Sequence, residues 1–176
     1  MKKSAKVALC GVLSALALVT MLLTVIPIAT YCIPALAGIF LMPIALEVGP
    51  KWGIAGYVAS ALLSILVTPD MEAKVLFIAF FGYYPTVKIL FSSIPSKALR
   101  WCVKLLLFNV TMIGSYLLLL YVLGLPADSF EIFDINLPWV FLAVGNGIFV
   151  LYDYALTGLV EMYKRRWHQL FVRVFK

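Results

Sequence analysis

Long apolar runs separated by short polar stretches divide this chain. The first, Val7 to Ile26, reads VALCGVLSALALVTMLLTVI and carries no charge. It has the length a helix needs to cross about 30 Å of hydrocarbon. Ser4, Ala8, Gly11 and Ala15 recur at helical spacing along it, which sets them on one face. Small side chains let a second helix approach closely, and such approach drives helix association in lipid. The first helix is therefore predicted to be both a membrane span and a docking surface, with these four residues facing the partner.

Five more apolar runs follow. Tyr31 to Val48 holds Pro34 in its first turn and Pro43 inside, where loss of a backbone donor is expected to kink the helix. Glu47, Gly49, Pro50 and Lys51 mark a tight reversal into Trp52 to Thr68, whose Gly53, Gly56, Ser60 and Ser64 form a second close-packing face. A turn over Pro69 to Glu72 leads to a fourth run, Ala73 to Phe91, loosened within by Gly82-Tyr83-Tyr84-Pro85. The linker Ser92 to Arg100 precedes a fifth run, Trp101 to Leu123, and the connection Gly124 to Leu137 a sixth, Pro138 to Glu161. In the tail, Trp167, Leu170, Phe171 and Val174 stand at helical spacing among cations, the pattern of a helix lying on a membrane surface.

The expected fold is an all-α integral membrane protein with six transmembrane helices and short loops. Residues 1–161 form one domain in this reading, and 162–176 a basic amphipathic tail. Composition leaves little else: 64% of the 176 residues are hydrophobic and 12% charged, with a mean hydropathy of +1.06, so no stretch remains for a separate soluble domain. Charge gives the orientation. With a cytoplasmic amino terminus, only Lys74 of the 14 lysines and arginines falls outside, and Asp70, Glu72, Asp128, Glu131 and Asp134 gather in the outer loops. Both termini are thus predicted to be cytoplasmic. The net charge of +6 reads as topology signals and contacts to anionic membrane lipids, with no nucleic-acid partner. The first run is longer than the apolar core of a secretory signal and no clean cleavage site follows it, so it is expected to be retained.

Enzymatic chemistry finds few residues to use. Cys10, Cys32 and Cys102 are scattered, and His168 is the single histidine, so neither a metal centre nor a histidine-based triad is expected. No nucleotide-binding or hydrolase motif occurs, and no cofactor is expected; if ATP is used, another chain binds it. Polar groups inside the runs are costly in lipid and are the functional candidates. Trp139, Asn146 and Asp153 make one stripe on the sixth span. Asn146 is either a pocket wall or a hydrogen bond between helices. Lys88 and Asp153 are expected at comparable depth as a structural ion pair rather than a proton relay. Tyr83 and Tyr84 stand beside the expected kink, either to stack on a flat ligand or to bond across helices. Tyr116, in the outer half of the fifth span, is placed to approach the same cavity.

The six spans, inward termini, basic start and small-residue face of the first helix resemble the substrate-binding S components of energy-coupling factor (ECF) transporters. Trp52-Gly53-Ile54-Ala55-Gly56 after the Pro34 to Pro50 stretch is also similar to the way that family joins its second and third helices. The resemblance implies a bacterial cell-membrane location and capture of a small, vitamin-like molecule from outside. It also implies docking of Ser4, Ala8, Gly11 and Ala15 onto a membrane coupling subunit driven by two ATPases. Carried onto this chain, it makes Tyr83, Tyr84, Tyr116 and Asn146 the substrate-binding candidates. Serine and glycine at positions 4 and 11 depart from the family's alanine pattern, and no histidine near the amino terminus supports a nickel or cobalt ligand. The competing reading is a membrane scaffold of the MreD-like cell-shape type, which binds proteins and no small molecule. Convergence of the four polar candidates would favour the transporter, and their dispersal the scaffold.

Overall fold

A computed structural model describes residues 3–26, 30–122 and 138–167, and side chains within 3–26, 30–121 and 142–166. All of its regular structure is helical. Contacts divide the chain into two compact units, Met1–Ser93 with Leu156–Lys176, and Ile94–Ala155. The first unit contains α1 (Lys3–Leu22), α2 (Cys32–Glu47), α3 (Pro50–Val67), α4 (Met71–Leu76) and α5 (Tyr84–Phe91). The second contains α6 (Lys97–Leu117). The last helix, α7 (Pro138–Met162), passes from the second unit to the first after Ala155.

Five helical stretches are long and apolar enough to cross a membrane: Lys3–Val25, Pro50–Val67, Met71–Phe91, Lys97–Tyr121 and Leu142–Arg166. The remaining apolar helix, Cys32–Glu47, has 16 residues and is about 24 Å long at the helical rise. Pro43 lies inside it, at the position where the sequence predicts a kink. Beyond Met162 the helix continues as a π-turn over Tyr163–Trp167. Positions 168–176, the connection over 123–137 and the side chain of Trp139 lie outside the described residues.

In the first unit the core is set by helical stripes. Leu9, Leu13, Ala17 and Met21 of α1 are buried together with Ile33, Ala37, Leu41 and Ile44 of α2. The spacing of three and four gives each helix one inward face. The small residues of α3 behave as its sequence suggests: Gly53, Gly56, Ser60 and Ser64 are all buried. Any Cβ added at Gly53 would press on Ala45 and Thr86, and one at Gly56 on Ile44. The turn before α3 uses Gly49 at φ 114°, a backbone region closed to most side chains.

The connections are fastened by side chains. Asp70 caps α4 by accepting from the Ala73 N–H at 2.9 Å, and its other oxygen accepts from the Thr30 hydroxyl at 3.1 Å. One residue on, the Tyr31 hydroxyl donates to Glu72 at 3.3 Å. The stretch before α2 is thereby tied to the turn before α4. In the second unit, Ser96 caps α6 by accepting from Leu99 N–H.

Candidate functional site

Three features of the described residues bear on function. The first is a bulge where the fourth expected span was predicted to loosen. Between α4 and α5 the chain makes a π-turn over Phe77–Phe81, and the Gly82 N–H donates back to the Phe77 carbonyl at 2.8 Å. That five-residue register leaves the Ile78 carbonyl without its ordinary helical donor, and the Tyr57 hydroxyl of α3 supplies one. Pro85 cannot donate an N–H to Phe81 four residues earlier, and Gly38 of α2 packs directly on that Phe81 carbonyl, where a Cβ would collide. A Cβ at Gly82 would likewise meet the Tyr57 ring. Two neighbouring helices thus serve the backbone groups that glycine and proline expose.

Tyr83 and Tyr84 sit at this bulge but face different surroundings. Tyr84 is fully buried and stacks on Phe80 with ring centres 4.7 Å apart. Tyr83 is half-buried and meets Tyr57 edge-on at 5.5 Å. The aromatic group of Tyr57, Phe77, Phe80, Tyr83 and Tyr84 is a packed cluster of offset and edge contacts. Lys88, one turn further along α5, donates to the Thr157 hydroxyl at 2.7 Å within the same unit.

The second feature is a polar seam between α6 and α7 in the other unit. Lys104 Nζ lies 2.9 and 2.8 Å from the two carboxylate oxygens of Asp153. Both residues are buried, 6% and 3% exposed, so charge and counter-charge leave solvent together. The Trp101 ring lies 5.0 Å from the same ammonium, close enough for a cation–π contact. One turn away Phe108 and Phe149 stack at 4.7 Å. Next, Asn109 and Asn146 exchange two hydrogen bonds, at 2.9 and 3.0 Å. The second amide hydrogens go to the Leu105 and Leu142 carbonyls of their own helices. Thr111 and Ser115 on α6 also return their hydroxyls to their own helix.

Asn146 therefore does what a hydrogen bond between helices requires. Tyr116, half-buried, is on α6 in this unit. Tyr83 and Tyr84 belong to the other unit, so convergence of the four candidates is not a feature of either. Lys88 and Asp153 are divided in the same way, and the ammonium that meets Asp153 within its own unit is Lys104. Lys104, Asn109 and Tyr57 are not singled out by the sequence alone. The available signal was register: Lys104, Phe108 and Asn109 ascend α6 as Asp153, Phe149 and Asn146 descend α7, as antiparallel helices require.

The third feature is the free side of α1. Ser4, Ala8, Gly11 and Ala15 are all exposed, opposite the buried stripe of Leu9, Leu13, Ala17 and Met21. Nothing lies within 4 Å of a Cβ placed at Gly11. Among the described residues of the unit, none covers this small-residue face. No group of three or more His, Cys, Asp or Glu able to hold a metal ion exists among the described residues. Compared with models of known protein families, with curated proteins and with solved structures, the chain matches none.

Proposed function

We propose that this chain is a non-catalytic, multi-pass membrane subunit that binds a partner membrane protein through the exposed face of α1. The assembly we assign it to is an ATP-driven uptake transporter of the ECF type, with six spans, both termini cytoplasmic, and separate ATPases supplying the energy. The observation that carries this reading is the exposure of Ser4, Ala8, Gly11 and Ala15. Leu9, Leu13, Ala17 and Met21 face the core, and these four small residues lie together on the exposed side, where a second helix backbone can approach closely. In this reading the substrate enters from the outer side. Its binding and release follow from unequal affinity in two orientations of the subunit, driven through the partner.

A second reading is favoured by a specific observation. Tyr84 is buried in an aromatic stack, and the Asn146 amide is taken up by Asn109 and Leu142. One substrate candidate is thus packed in an aromatic stack of its own helical stretch and a second bonds across helices, which favours a scaffold of the MreD-like type. Mild-detergent purification from native membranes separates the two. Recovery of a membrane coupling protein with two ATPases supports the transporter, and recovery of cell-wall or shape proteins supports the scaffold. A chain that purifies alone from native membranes contradicts both.

A further inference from the structure

Beside the docking face, α1 borders a second surface of different chemistry. A groove of about 610 Å³ runs between α1, α2 and the end of α7, within the size range of small-molecule sites. Ala8, shared with the edge of the docking face, lines it from α1 with Val12 and Leu16, Ile39 and Phe40 line it from α2, and Leu159 and Met162 from α7. Tyr163 is the one lining residue with a polar side-chain group. Met162 also borders an adjoining depression of about 430 Å³ formed with Gly158, Glu161, Arg165 and Arg166. Hydrocarbon-lined space therefore gives way to two exposed guanidinium groups and one carboxylate within about one helical turn, roughly 6 Å along α7.

That sequence of surfaces matches one ligand class. A phospholipid presents an acyl chain and then a phosphate, and arginine binds phosphate oxygens through paired N–H donors. The cations outnumber Glu161, so the polar end favours an anion. A water-soluble anion has nothing to place in the groove, and a zwitterionic lipid brings its own cation to the arginines. We infer that this groove binds one anionic phospholipid, with an acyl chain along α1 and α2 and the phosphate on Arg165 and Arg166. The inference rests on these helices spanning a membrane and is independent of which protein docks on α1.

Native mass spectrometry of the delipidated full-length chain in mild detergent tests it. The probes are phosphatidylglycerol, phosphatidylcholine with the same acyl chains, and glycerol phosphate as a headgroup without chains. One phosphatidylglycerol should be retained per chain, phosphatidylcholine at least tenfold more weakly, and glycerol phosphate not at all. The double substitution Arg165→Gln/Arg166→Gln should weaken phosphatidylglycerol about 30-fold, as expected for two cations near a membrane surface. Ile39→Trp, which fills the groove and keeps both arginines, should also displace the lipid. Thermal melting confirms that each variant is folded. Equal retention of the two lipids, retention unchanged in the folded variants, or glycerol phosphate binding as well as the intact lipid would each overturn the site. So would a protein segment occupying the groove in the assembled complex.

Discussion

The two units solve helix packing in opposite ways. Around α1, α2 and α3 the contacts depend on side chains that are absent or short, such as Gly38 on a carbonyl and Gly53 against Ala45 and Thr86. Between α6 and α7 they depend on long side chains that reach across, Lys104 to Asp153 and Asn109 to Asn146. Close approach gains dispersion from many weak contacts and tolerates no added volume. Polar pairing concentrates the interaction in a few groups, each of which becomes a liability when its partner is removed. In the first unit the damaging changes are therefore additions of volume, and in the second they are deletions of a polar partner.

Deleting a charge should have the largest effect. Asp153→Leu strands the Lys104 ammonium in a buried site and is expected to cost about 3–5 kcal/mol. Adding Lys104→Met to the same chain should recover most of that loss, because a buried ion pair and an apolar pair of similar volume differ little. Thermal unfolding of the two variants in one detergent measures both. Recovery would place the penalty in the unpaired charge, whereas an equally unstable double variant would mean that the pair itself holds the unit together.

In the first unit, Gly38→Ala is the corresponding test. A single methyl group directed at the Phe81 carbonyl should cost roughly 2–3 kcal/mol, since overpacking against backbone has no flexible side chain to yield. Gly11→Ala, on the open side of α1, should be neutral or slightly stabilising, because alanine favours helix. If both substitutions are neutral, close approach is not what holds α2 to the bulge.

Smaller effects are expected from the neutral hydrogen bonds. Tyr57→Phe removes the donor from the Ile78 carbonyl and should cost about 1–2 kcal/mol, with faster amide exchange over 77–84. Asn146→Leu should cost about 1 kcal/mol, as hydrogen bonds between membrane helices are usually modest. A double-mutant cycle with Asn109→Leu should show that the two losses are not additive. Additive losses would mean that the two amides act separately.

Much of the helical layout was legible because it follows from period and length. The apolar lengths of the helices and the small faces of α1 and α3 need only one helix to be recognised, whereas α1 and α2 are apolar on their outer sides too, so which stripe turns inward depends on the neighbours. The bulge was also visible in part, since Gly82 and Pro85 alter the backbone wherever they stand. What it becomes was not visible, because Tyr57 and Gly38 come from other helices and neither carries a local signal. Lys104 carries no local signal of its pairing for a related reason. A lysine seven residues into an apolar helix counts equally as an orientation signal or as half of a buried pair until the partner's register is known. Asn146 stands out in the sequence as a polar group inside an apolar run, and Asn109 gives it an interhelical partner.

The exposed face of α1 is the point at which these packing rules reach function. It has the composition used inside the first unit, yet nothing within the described residues of that unit covers it. The most direct measurement compares wild type with Gly11→Leu/Ala15→Leu, two positions outside the lining of the apolar groove, by affinity purification from native membranes and thermal melting of each chain. The expected result is a membrane coupling protein and its two ATPases recovered with the wild type and lost from the variant, at unchanged melting temperature. Undiminished recovery of the same partners with the double variant would contradict docking through this face.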